Sequence, residues 1–107
     1  MTGAVIVTGA FGVLGRAGVA HLAGLGHTVA GVGLAPAPAD FAGALALGGV
    51  NLTDEAAVTA AYGEVAAKLG GISALVNIAG GFVWEMVEGG ALSNWDRMYQ
   101  MNLRTAA

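Results

Sequence analysis

The sequence predicts an α/β fold, a doubly wound parallel sheet, and three observations point to it. Val5-Ile6-Val7-Thr8 is a β-branched run that passes directly into Gly9, Gly12 and Gly15, spaced three apart. A buried strand, a tight turn and a helix start look like this when written consecutively. Apolar runs at 28–34, 44–50 and 72–77 then alternate with helical segments at 13–25 and 56–69, the order of repeated β-α-β units. Hydrophobic residues make up 56% of the chain and charged ones 10%, a balance that suits strands buried on both faces. At 107 residues the chain is one domain with room for a core.

Composition narrows the partners. A net charge of −3 leaves no basic footprint for nucleic acid. The absence of Cys excludes disulfides and thiolate metal sites. The N-terminus lacks the basic start and small-residue cleavage site of a signal peptide, so a cytoplasmic location is expected. Residues 17–39 carry no Lys, Arg, Asp or Glu, but Pro36, Pro38 and several glycines argue against a membrane span there.

The glycine turn comes first in the chain and carries the most chemistry. Glycine adopts φ > 0 without steric penalty, and its missing Cβ lets backbone N–H groups approach a bulky anion. The helix that follows aims its dipole at the same place, which matches a dinucleotide pyrophosphate. That helix is expected over Val13 to Leu25, with Leu14, Gly18, Leu22 and Leu25 on the sheet face and Gly26 as its C-cap. His21 and His27 have no carboxylate or third His at metal spacing, so no metal site is expected. The second strand, Thr28 to Leu34, ends without the Asp or Glu that holds a ribose 2′-OH in NAD sites, and without the Arg of NADP sites. Gly33 or Leu34 stands in that place. Arg16, in the first turn of the helix, either reaches a phosphate or pairs with a surface carboxylate.

Ala35 to Asp40, with two prolines, is a loop that shortens the second crossover. The third strand is expected at Ala44 to Val50, thinned by Gly48 and Gly49. Thr53 is the expected N-cap of the next helix, with Asp54 and Glu55 where the dipole favours acids. That helix, Ala56 to Leu69, carries Lys68 in its last turn and stops at Gly70-Gly71. The fourth strand ends at Asn77. An apolar loop with Phe82, Trp84 and Met86 follows, suited to wall a substrate pocket or to pack beneath one. Ser93 as N-cap and Asp96 at N3 open a last helix that runs through Arg104.

Thr8-Gly9-Ala10-Phe11-Gly12-Val13-Leu14-Gly15 resembles the nucleotide-binding turn of the short-chain dehydrogenases/reductases. Its spacing, T-G-x-x-G-x-x-G, is that of the extended branch rather than the T-G-x-x-x-G-x-G of the main branch. Leu75-Val76-Asn77-Ile78-Ala79-Gly80 is similar to the family's L-V-N-N-A-G, with Ile78 replacing the second Asn. Asn51-Leu52 stands where the family commonly has Asp-hydrophobic against the adenine; Asn51 either keeps that contact or supports its own loop. Asn77 either ties strand ends together or touches the ribose. The helix from Trp95 has the family's W-x-x-x-x-x-x-N-L form, which makes Asn102 the one residue of catalytic class.

The resemblance implies a Rossmann-type sheet, first half only, with strand order 3-2-1-4 and right-handed crossovers. It implies NAD or NADP bound by Thr8, Gly9, Phe11, Gly12, Val13, Leu14, Gly15, Leu34, Asn51, Leu52, Asn77, Ala79 and Gly80. The implied reaction is hydride transfer between the nicotinamide and a small-molecule alcohol or ketone, in a homo-oligomer or with a complementing C-terminal segment. The choice of cofactor is not readable, and weak discrimination is expected. The family's acid-base pair is a Tyr with a Lys four residues later that lowers its pKa. Here Tyr62 and Tyr99 are followed at that distance by Ala66 and Leu103. The chain therefore reads as the cofactor-binding half, incomplete at its C-terminus; the alternative is a non-catalytic nucleotide-binding or assembly module working with a second chain. Isolated residues 1–107 should show no NAD(P)H oxidation with a panel of ketones. Cofactor-dependent turnover by the pure fragment would overturn that expectation.

Overall fold

A computed structural model describes residues 3–81 and 86–107. Phe82 and Trp84 of the apolar loop lie outside them. The elements are β1 (Ala4–Thr8), α1 (Val13–Gly24), β2 (Val29–Val32), β3 (Leu45–Leu47), α2 (Glu55–Leu69), β4 (Ile72–Asn77) and α3 (Leu92–Tyr99), which continues as a π-helical turn, Gln100–Arg104. All strand pairs are parallel, in the order β3-β2-β1-β4. The expected sheet is therefore the one formed.

β1 is flanked on both sides and all five of its residues are buried. Because strand side chains alternate, its two faces serve two cores. Ala4 and Ile6 pack with Ala30, Val32 and Val65 of α2, while Val5 and Val7 pack with Val29, Ala10 and Val19 of α1. Helices thus cover both faces, and the near-continuous apolar strand follows from that double burial. Thr8 places a buried hydroxyl at the strand end, where its Oγ accepts from the N–H groups of Ile78 (3.2 Å) and Ala79 (3.3 Å).

The β2–β3 connection, residues 33–44, contains no helix. A parallel crossover of about a dozen residues usually carries one to cover the sheet. Phe41 does this instead: a Cβ added to Gly31 would meet its ring, and one added to Gly43 would come within 2.6 Å of its Cε2. Both glycines are seats for the same side chain.

Several boundaries differ from expectation, each for a local reason. The sheet-facing side of α1 is Gly15, Gly18, Val19, Leu22 and Ala23, with Gly18 beside Ile78, whereas Leu14 and Leu25 are exposed. The fit of Gly15 against β1 sets that rotation. β3 is cut short because Gly48 packs on the Ala35–Ala37 backbone and Gly49 turns at φ +68°. Asp54, not Thr53, caps α2 by accepting from the Ala56 N–H (3.1 Å). The Thr53 hydroxyl donates instead to Asn51 Oδ1 (2.7 Å). The backbone leaves the extended region after Ala91, so α3 begins at Leu92 and Ser93 lies inside its first turn.

β4 is an edge strand on its outer side, with Ile72 43% and Leu75 44% exposed. An apolar edge with free backbone groups templates further pairing. Residues 1–107 expressed alone should therefore associate in light scattering, and Ala74→Lys should suppress it. A monodisperse wild-type monomer would refute this.

Candidate functional site

The register sets Thr8 opposite both Val32 and Asn77, so β1, β2 and β4 end level with one another. Two adjoining cavities open there, of about 440 and 290 Å³, and Gly9, Gly33, Leu34, Ala79 and Gly80 line both. The larger runs over Phe11 to Gly15 at the start of α1. The smaller lies between Val50 to Thr53 and the π turn, where Gln100, Met101 and Thr105 form its wall. This is the crevice outside the carboxyl ends of parallel strands where open α/β sheets bind ligands.

The glycines divide the work. Gly9 turns at φ +64°, and a Cβ there would lie 2.7 Å from the Ala79 N. A Cβ on Gly15 would strike the Gly9 carbonyl oxygen and lie 2.7 Å from Ala10 Cα. Both positions hold β1, α1 and β4 together at one point. Gly12 is different: the nearest atom to its added Cβ is the Gly9 oxygen, 3.8 Å away. Its open side leaves space for a ligand. The Arg16 N–H bonds to the Gly12 carbonyl (2.9 Å), so the N–H groups of residues 13–15 precede the helical ladder, and no acid stands in that turn. Backbone donors, the dipole and the absence of a competing carboxylate fit a pyrophosphate. Val13, Leu14 and Leu34 expose apolar side chains around the mouth, Val13 at 93%.

Arg16 resolves to the carboxylate-paired reading. Its Nε donates to the Phe11 carbonyl (3.1 Å) and its Nη1 lies 3.6 Å from Asp40 Oδ1. Asn51 supports its own loop: Oδ1 accepts from both the N–H (3.0 Å) and the hydroxyl of Thr53. Because both partners are donors, the amide orientation follows, and Nδ2 is the atom left to face a ligand. Thr8 lies buried beneath the groove, and Asn77, at the exposed end of β4, lines neither cavity. The tie between strand ends is made by Thr8.

The Asn102 amide pairs with the Gly81 backbone in both directions, accepting from its N–H (3.1 Å) and donating to its carbonyl (3.0 Å); it also donates to Met98 O. It clamps the Gly80–Gly81 loop against the π turn. Arg104 fastens the same turn to the opposite wall, Nε to the Thr53 carbonyl (3.1 Å). Gln100, Met101, Arg104 and Thr105 carry no sequence signature of this role, because no local pattern reports a contact across about fifty residues. The W-x-x-x-x-x-x-N spacing was the one available pointer. Tyr62 packs against the core on the α2 side, and burial raises its pKa, the wrong direction for a proton acceptor. Among the described residues no cluster suits a metal ion, and no helix is long and apolar enough to cross a membrane.

Residues 3–107 match the sequence pattern of the family described as short chain dehydrogenase. The chain belongs to that family. Among solved structures, a short-chain dehydrogenase/reductase of Serratia marcescens is 31% identical with a TM-score of 0.80, the match covering 98% of this chain and 48% of that one. The ligand-free aldohexose dehydrogenase of Thermoplasma acidophilum is 25% identical (TM-score 0.84), covering 97% and 40%. A short-chain dehydrogenase/reductase superfamily protein of Agrobacterium tumefaciens, solved with bound NAD, is 31% identical (TM-score 0.65), covering 94% and 26%. The chain thus spans less than half the length of each of these relatives. No curated protein matches the sequence.

The glycines should separate in a stability measurement. Gly15→Ala should destabilise by about 1–3 kcal/mol through overpacking. Gly12→Ala should stay within about 0.5 kcal/mol, like other unobstructed substitutions. Equal denaturant midpoints for the two variants would contradict this assignment.

Proposed function

We propose that residues 1–107 form the NAD(P)-binding part of an oxidoreductase that moves a hydride between the nicotinamide and a small-molecule alcohol or ketone. The single observation that carries this reading is the open face at Gly12, continuous with an apolar cavity at the strand ends. Family membership supports it, and so does the relative solved with NAD.

In this reading the turn at Gly9–Gly15 holds the pyrophosphate. Leu34, Val50, Leu52 and Met101 flank the adenine, with Asn51 Nδ2 at its edge. Ala79 and Gly80 give the ribose a wall without side-chain bulk. The bound cofactor supplies the hydride acceptor or donor. Val13, Leu14 and Leu34 exclude water from the mouth, and Asn102 sets the position of the Gly80–Gly81 loop. Proton transfer falls to a group outside these residues, since Tyr62 is partly buried against the α2-side core and neither Tyr62 nor Tyr99 has a Lys partner. The full protein works as a homo-oligomer or by adding a segment beside β4.

One observation favours a second reading, a nucleotide-binding or assembly module without catalysis. Both ends of the Asn102 amide are already engaged by backbone. Calorimetry and ketone-dependent NAD(P)H oxidation on the full-length protein distinguish the two. Binding with oxidation supports the enzyme, and binding without it supports the module. Gly12→Val should weaken cofactor binding at least about tenfold, or about 1.4 kcal/mol, in a variant that circular dichroism shows to be folded. Unchanged affinity would count against the site.

A further inference from the structure

We infer that Phe11 excludes a 2′-phosphate from the ribose end of the groove and so makes the protein selective for a dinucleotide with a free 2′-OH. The inference rests on the cofactor reading above, and it supplies a discriminating residue where the sequence offered none.

The space beside Gly33 is filled by a ring. A Cβ added to Gly33 would lie 2.6 Å from Phe11 Cδ2. Gly33 directly follows β2, the strand whose terminus reads the 2′ position in dinucleotide folds. Phe11 itself lines the larger cavity, beside Gly33, Leu34 and Ala35.

The ring cannot easily swing aside. It meets Phe41 edge-on, with centroids 5.8 Å apart and planes at 87°, an arrangement that is attractive in itself. Phe41 is in turn seated between Gly31 and Gly43. The Phe11 carbonyl is held by Arg16 Nε.

Charge at this end is already balanced. Arg16 is the cation beside Phe11, and Asp40 answers it at 3.6 Å. Gly33, Leu34 and Ala35 bring none of their own. A 2′-phosphate is close to a dianion and carries three strong acceptor oxygens. Against this wall it would leave water for an aromatic face and a leucine, and the cation beside Phe11, Arg16, is already engaged by Asp40 and the Phe11 carbonyl. A 2′-hydroxyl in the same place forgoes one ordinary hydrogen bond. Selection is therefore by exclusion, and the absence of an acid at Gly33 is a consequence of the ring that occupies its place.

The test is equilibrium binding of NADH and NADPH to the full-length protein, by nicotinamide fluorescence and calorimetry. ADP and adenosine 2′,5′-bisphosphate serve as competitors that report the 2′ position without turnover. Wild type should bind NADH about a hundredfold or more tighter than NADPH, with ADP preferred in the same sense. Phe11→Ser should bring the two within about tenfold, mainly by gaining NADPH affinity. Phe41→Ala, which keeps the ring but removes its brace, should fall between. Equal or preferential NADPH binding by wild type would overturn the inference even if no variant folds. An unchanged ratio in a folded Phe11→Ser protein would overturn it as well. If wild type binds neither dinucleotide, the cofactor reading itself fails, and this inference with it.

Discussion

The arrangement depends on one contact, the Cα of Gly15 lying directly beneath the Gly9 carbonyl. No side chain fits between them, so the start of α1 sits on the end of β1 at backbone distance. Gly9 makes a similar approach to Ala79 on the other side. Three elements therefore converge where a Cβ at either glycine would force them apart. The groove is lined by backbone donors because the packing leaves no room for anything larger, and Gly12 can stay open because its two neighbours bear the contacts.

The two flanks of the sheet are finished differently. On the β2–β3 side a non-helical connection is closed by Phe41, whose ring takes the space of two missing Cβ atoms. On the β4 edge Ile72 and Leu75 are exposed, and so are Leu92, Trp95, Tyr99 and Leu103 along α3 and its π turn. Spacings of three, four and four put those last four on one helical stripe. Exposed apolar surface on this scale marks interaction sites.

The far end of the groove is assembled from distant segments. Asn51 and Thr53 shape one wall by a local turn, and Arg104 reaches the Thr53 carbonyl from the other. Asn102 fixes the loop between them through Gly81. These are mainly side-chain bonds to backbone groups. The wall positions therefore follow from where the chain runs rather than from pairwise matching of side chains.

By itself the sequence determined the existence of the strands and the glycine turn, and their order came with the family resemblance. The causes of the strands and the turn are local: a continuous β-branched apolar run in β1, three glycines at fixed spacing, and helical segments between apolar runs. The groove's location followed, since parallel strands that end level leave a crevice there. Only the tertiary structure decided how the residues around it are used. Arg16 pairs with Asp40 across 24 positions rather than with a ligand, and Asn51 turns its oxygen to Thr53. Asn102 clamps Gly81, and α1 rotates so that Val19, not Leu14, meets the sheet. Phe11 could be placed in the turn from its neighbours, but not against Gly33. A ring's position depends on what braces it, and that brace, Phe41, reaches the site through a loop whose path no local pattern encodes.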